Sequence, residues 1–143
     1  MIRSADDSLR YMLDTNLCIA LIRRSSVAAE RRVTEQAVTD VAISAITVAE
    51  LEFGVARSKQ PKLNREKLDQ FLQPLQVLAF DDTAAAAYGR ARARLEARGE
   101  MIGPLDMLLA AQAMGLGLTL VTSNVREFER VEGLQTEDWT VGE

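Results

Sequence analysis

The 143-residue chain contains no histidine. That absence removes serine–histidine triads, histidine-ligated zinc and RNA cleavage by paired histidines. Any hydrolysis must run on carboxylates, lysine, tyrosine or water activated by a metal. Cysteine is nearly missing as well. Cys18 stands alone, which excludes an internal disulfide and a thiolate metal centre. Its setting, Leu17-Cys18-Ile19-Ala20-Leu21, reads as a small core residue. The three prolines are isolated and no linker or repeat is visible. No apolar run approaches the roughly 20 residues that span a bilayer. Met1 to Arg10 is polar and lacks the basic-then-apolar order of a secretory signal. The expectation is a cytoplasmic protein without membrane contact. Aromatic residues are only 5% and do not interleave with cations as a single-strand stacking platform would. Most are therefore expected in the core. An excess of positive charge is also lacking: the net charge is −4, which by itself disfavours nucleic-acid binding. Yet 14 of the 17 cations are arginine, the side chain suited to bidentate phosphate contacts.

What is present fits one α/β domain over 1–143, with 1–9 expected as a flexible extension. Arg10–Leu13 reads as a strand, followed by helix over 16–23. Ser25-Ser26 offers a cap for a helix over 27–38. Val41–Ala45 is β-branched and alternating, hence strand. Thr47 with Glu50 three residues on matches a capping box for the next helix. Pro61 marks a break before a helix over 63–72. Leu75–Phe80 is a third strand. Asp81 or Asp82 caps a helix over 83–98 that stops at Gly99. Gly103-Pro104 starts another, expected to end at Gly115. Leu118–Thr122 is a fourth strand, 127–130 a helical turn and 134–139 a possible fifth strand. Strands alternating with helices imply a three-layer domain: a mostly parallel central sheet of four or five strands, flanked by helices.

Four polar residues recur where strand gives way to helix: Asp14, Glu50, Asp106 and Asn124. In a parallel sheet, sites form outside the carboxyl ends of strands where strand order reverses. Asp14 and Asn124 end strands, and Glu50 and Asp106 sit in the first turns of helices. All four can therefore converge at one edge. Three carboxylates roughly 5 Å apart repel by about 3 kcal/mol per pair at an effective dielectric near 20. A hard divalent cation would neutralise them, and oxygen ligands suit Mg²⁺ or Mn²⁺ rather than zinc. Such a centre hydrolyses phosphodiesters with water as nucleophile, leaving a 5′-phosphate and a 3′-hydroxyl. Each residue also has a plainer role. Asp14, Asp106 and Glu50 could serve only as caps or helix-dipole partners, and Asn124 as a turn residue.

The segments carrying these residues resemble the motifs of PIN-domain ribonucleases of the VapC type. Met12-Leu13-Asp14-Thr15-Asn16 is similar to the first motif and Val48-Ala49-Glu50-Leu51-Glu52-Phe53-Gly54 to the second. Ile102-Gly103-Pro104-Leu105-Asp106, with Leu109-Ala110-Ala111, resembles the third. Val121-Thr122-Ser123-Asn124, with Arg126-Glu127-Phe128, resembles the fourth. The likeness runs from Tyr11 to Trp139. It implies a PIN fold, a Mg²⁺- or Mn²⁺-dependent endoribonuclease, and the toxin half of a toxin–antitoxin pair. The implied substrate is structured RNA, often tRNA cut near the anticodon. Asp14 and Asp106 would carry the metal contacts, and Glu50 would support metal or water. Asn124 takes a position where many members have aspartate, which weakens a second cation; Glu127 is a candidate to compensate.

Two basic regions could contact phosphate or an acidic partner: the stripe Arg90, Arg94, Arg98, and the group Arg57, Lys59, Lys62. Either could equally be a solvated face. The run Leu17–Ile22 has more apolar residues than one buried stripe needs. It could pack a second copy or an antitoxin helix, giving a homodimer or a toxin–antitoxin hetero-oligomer. Two other readings stay open. One is a phosphatase or phosphoaspartyl protein with Asp14 as nucleophile. The other is an inactive PIN-fold module that only binds RNA or protein.

Overall fold

Alternation along three short strands separates the interior into two halves. β1 (Tyr11–Leu13), β2 (Val41–Ser44) and β4 (Thr119–Val121) lie at the centre of the sheet. Successive side chains of a strand point to opposite faces. Met12, Ala42 and Leu120 accordingly enter one buried cluster. Tyr11, Leu13, Val41, Ile43 and Val121 enter the other. Both faces of these strands are buried, which is why they are almost wholly apolar. In this computed structural model, which describes residues 8–142, β3 (Gln76–Leu78) and β5 (Thr136–Glu137) form the edges. The order is β3-β2-β1-β4-β5, and every pairing is parallel.

Helices cover each face. On one lie α5 (Asp82–Arg98), α6 (Pro104–Leu116) and α7 (Val125–Phe128), contributing Ala91, Leu95, Met107, Leu109 and Phe128. On the other lie α1 (Thr15–Arg23), α2 (Val27–Thr34), α3 (Ala45–Ala56) and α4 (Pro61–Leu72), contributing Leu17, Cys18, Ala29, Leu51 and Leu68. This is the three-layer arrangement anticipated from the strand–helix alternation. Cys18 is fully buried. Among the described residues no helix is long and apolar enough to cross a membrane. Of the expected extension at 1–9, residues 1–7 lie outside the described chain. Leu9 is buried in the core, so packing begins before β1.

Several boundaries differ from expectation for identifiable reasons. Helix α3 starts at Ala45, not after Thr47, because β2 runs into it without a loop. Ser44 is the cap, its hydroxyl accepting from Ile46 N–H at 3.0 Å. The capping box at Thr47 is thus absent, and Thr47 lies fully buried inside the helix. Helix α2 stops at Thr34, and a 3₁₀ turn over Val38–Asp40 leads into β2. Pro61 opens α4 at its first turn rather than preceding it. Helix α6 continues past Gly115 to Leu116. Gly117, at φ +68°, supplies the left-handed C-terminal residue. Gly115 instead permits close packing, since a Cβ there would meet the Ala87 Cβ at 3.4 Å. Phe53 is 64% exposed rather than buried.

Trp139 closes the second cluster. Its ring is fully buried and meets Tyr11 edge-on, with centroids 5.0 Å apart. Nε1 donates to Glu137 Oε1 at 2.9 Å, and Arg32 both lies over the ring and bonds Glu137 at 3.2 Å. The chain beyond β5 is thereby pinned to β1. Trp139→Ala should destabilise the fold by about 3–5 kcal/mol, as aromatic truncations in a packed core do. Urea unfolding would report it, and a change below about 1 kcal/mol would mean that this segment is not part of the core.

Candidate active site

The strand order places β1 beside β2 on one side and β4 on the other, so the connections depart in opposite directions from β1. The crevice of such a sheet opens there, beyond the carboxyl ends of β1 and β4. Asp14 is the first residue after β1. It is 3% exposed, and its Oδ1 accepts from Leu17 N–H at 2.8 Å, capping α1. Its own N–H donates to the Val121 carbonyl at 2.9 Å, locking it against the end of β4. The cap role and the site position coexist. Burial raises its carboxyl above the usual aspartate range. Hydrogen bonds from Thr122 and Leu17 oppose that rise, and the charges of Glu50 and Asp138 add to it.

Glu50 lies in the second turn of α3. Its Oε1 accepts from the Thr15 hydroxyl at 2.7 Å, and Thr15 also contacts the Thr47 hydroxyl at 3.1 Å. Asp106 lies in the first turn of α6, where Pro104 begins the helix. Its carboxyl is pushed up to about 6. Burial is the largest cause, followed by the charge and hydrogen bond of Glu127 and the charges of Asp14 and Glu50. The charges of Glu127, Asp14 and Glu50 thus reach Asp106, and that of Glu50 reaches Asp14. The acids do not close onto one point: among the described residues no three acidic side chains stand close enough to ligate one ion together.

A PIN domain model matches residues 11–134. The chain is 39% identical over 132 residues to the tRNA(fMet)-specific endonuclease VapC of Shigella flexneri, covering 92% of this chain and 99% of that one. It is 41% identical over 131 residues to ribonuclease VapC2 of Haemophilus influenzae, covering 92% and 98%. The chain belongs to the VapC branch of the PIN-domain family. Among solved structures, the DNA-bound VapBC of Salmonella typhimurium superposes with a TM-score of 0.88 at 39% identity, covering 92% of this chain and 98% of that one. VapBC2 of Rickettsia felis, bound to a promoter fragment, superposes at 0.87 with 38% identity, covering 92% and 99%.

Within this PIN domain the fourth motif has a specific geometry. Asn124 is exposed, and its N–H donates to Thr122 Oγ1 at 2.9 Å. Its side-chain amide donates to Glu127 Oε2. Glu127 Oε1 accepts from the Gly103 N–H at 3.0 Å, at the start of α6. So Asn124 orients Glu127, and Glu127 is the acid that faces Asp106. A single turn of α7 separates the two. The sequence signal for this was the acid at the third position after Asn124.

The basic stripe on α5 proves divided. Arg98 donates to the Arg130 carbonyl at 2.7 Å and pairs with Glu100 and Glu132. Arg90 and Arg94 are exposed. Beside the acids runs a groove of about 1000 Å³, between α1, α3 and α4. Ile19, Ile22 and Ile46 help line it, and Arg23, Arg57 and Lys67 supply its positive charge. Arg57 also lies over the exposed Phe53 ring at 5.3 Å.

The donor set fits a hard divalent ion. Every candidate ligand atom is oxygen, and two of the carboxyls are held above their usual range partly by their neighbours' charge. This makes the metal-free site a liability at neutral pH. An aspartate whose folded pKa exceeds its ordinary value binds its proton more tightly when folded. Its stabilising contribution is full below pH about 4 and lost as pH rises through about 6. Discounted for partial exposure, the loss is about 1–2 kcal/mol. Asp106→Asn should therefore raise the melting temperature of the metal-free protein at pH 7.5 by about 3–6 °C and flatten its dependence between pH 4.5 and 7.5. Differential scanning calorimetry in EDTA tests this. An unchanged pH profile would show that Asp106 is not under strain from its neighbours.

Proposed function

We propose that this chain is a Mg²⁺- or Mn²⁺-dependent endoribonuclease, the toxin of a toxin–antitoxin pair, acting on structured RNA. The observation that carries the reading is that Asp14 and Asp106, each with its carboxyl raised by burial first and by neighbouring acid charge second, stand near the switch point of a VapC-type PIN sheet. Asp14 and Asp106 are the residues that would hold the cation directly, with Glu50 reaching it directly or through water. Bound there, the cation would lower the pKa of the attacking water and offset charge on the phosphoryl oxygens. The chain's own residues do the rest. Asp14 is fixed by its cap bond and its link to β4, so it presents one oxygen at constant geometry. Glu50 is oriented by Thr15. Glu127, held by Gly103 and Asn124, adds to the rise that burial gives the Asp106 carboxyl.

Transfer RNA is the first substrate to test, because the Shigella relative is named for tRNA(fMet). The groove beside the acids, apolar within and positively charged at its edges, suits an amphipathic segment carrying acidic residues. We assign it to the cognate antitoxin, as the related structures are VapBC complexes. The surplus apolar residues of α1, Ile19 and Ile22, face this groove.

Incubation of total tRNA with the purified protein should give cuts that need Mn²⁺ or Mg²⁺, stop with EDTA and carry 5′-phosphate ends. Asp14→Asn or Asp106→Asn should reduce cleavage by about 10³-fold or more, and Glu127→Gln by about 10-fold or more. Asn124→Ala should cost less than Glu127→Gln, because Asn124 acts through it. Cleavage at the normal rate by Asp106→Asn would remove the assignment. Intact RNA with a retarded band on a gel would favour the binding-module reading, and a phosphoenzyme formed from acetyl phosphate would favour the phosphatase.

Ile22→Glu should weaken binding of the cognate antitoxin by about 10-fold or more, since it buries a charge in the groove. Calorimetry measures it, with tRNA cleavage by the free variant unchanged. Equal affinity would place the partner elsewhere.

A further inference from the structure

Glu50 does not choose its own orientation. Its carboxylate can only accept, so the Thr15 hydroxyl donates its single proton to Oε1 at 2.7 Å. That proton is then unavailable to Thr47, whose oxygen lies 3.1 Å away. Thr47 must be the donor of that second bond. The proton order is therefore fixed: Thr47 donates to Thr15, and Thr15 donates to Glu50. Thr47 is fully buried in α3, and Thr15 opens α1 directly after Asp14. The chain of hydroxyls crosses from α3 to α1, one residue after Asp14.

We propose that Thr15 and Thr47 are positioning residues for Glu50: a two-hydroxyl relay holds Oε1 and leaves Oε2 as the oxygen presented to the cation or its water. The inference rests on the nuclease reading above. The hydrogen bond of the buried Thr47 runs to Thr15, and through it to Glu50, which sets it apart from a residue that merely fills the core. A buried hydroxyl without this task would be replaceable by the isosteric valine at little cost. A hydroxyl in a polarised chain is not, because the chain strengthens each bond.

The test is a double-mutant cycle with conservative rescue. Thr15→Val should lower kcat on tRNA about 30-fold or more, and Thr47→Val about 5-fold or more, both with KM within twofold of wild type. Thr47→Val should have no further effect in the Thr15→Val background. Thr15→Ser and Thr47→Ser should each recover to within about threefold of wild type. Mn²⁺ titrated by calorimetry into the same proteins without RNA gives a second readout. Its affinity should fall about 3-fold or more in Thr15→Val, with melting temperatures within about 2 °C of wild type. Equal effects of Thr47→Val in both backgrounds, or unchanged kcat and Mn²⁺ affinity in Thr15→Val, would overturn the relay while leaving an active nuclease. A wild type that neither cuts RNA nor binds Mn²⁺ overturns the nuclease reading and the relay with it.

Discussion

Like charges gathered in a partly buried recess set the terms for the rest of this molecule. Burial raises the carboxyls of Asp14 and Asp106, and neighbouring acid charge raises them further: Glu50 and Asp138 for Asp14, Glu127, Asp14 and Glu50 for Asp106. Nothing in ordinary folding favours such an arrangement, so it persists only because a rigid scaffold imposes it. The scaffold here is the five-stranded parallel sheet with a buried cluster on each face. Asp14 cannot retreat, because its side chain caps α1 and its backbone is bonded to Val121 at the end of β4. Asp106 is carried on a helix whose following residues, Met107 and Leu109 to Ala111, are buried. The tension is local, and the packing that resists it is spread over two cores.

Much of this was legible in the sequence because the signals were of the strongest kinds. Strands buried on both faces appear as short apolar runs, and Tyr11–Leu13 and Val41–Ser44 could be read directly. Helix α5 announced itself through Asp81 and Gly99, and both do the expected work: Asp81 Oδ1 accepts from Ala84 N–H, and Gly99 takes the left-handed conformation. The family motifs rest on the same residues that the strand–helix junctions single out. Asp14 and Asp106 were therefore indicated by two independent arguments.

The misreadings share one physical cause: local pattern was trusted where tertiary contact decided. Thr47 and Glu50 have capping-box spacing, but Ser44 caps the helix because the strand enters it without a turn. Both side chains instead face α1, through Thr15. Gly115 resembles a helix stop, yet its neighbour across the interface is Ala87, and the stop falls at Gly117. Phe53 reads as core by composition and is exposed because α3 borders a groove rather than another helix on that side. Sequence spacing cannot state what lies opposite a residue.

Asn124 and Glu127 form one hydrogen-bonded pair beyond the end of β4. An amide at Asn124 removes a negative charge from the strand end, which by itself would lower the repulsion on Asp106. Glu127 carries a negative charge one turn of helix later, and Asn124 donates a hydrogen bond to it. The Gly103 N–H holds the other oxygen of Glu127, fixing it against the very turn that carries Asp106. An acid on α7 is tethered less directly to the sheet than one at the end of β4 would be, so two hydrogen bonds take over what the strand would have supplied. Burial is the largest cause of the raised Asp106 carboxyl, and the charge and hydrogen bond of Glu127 add to it.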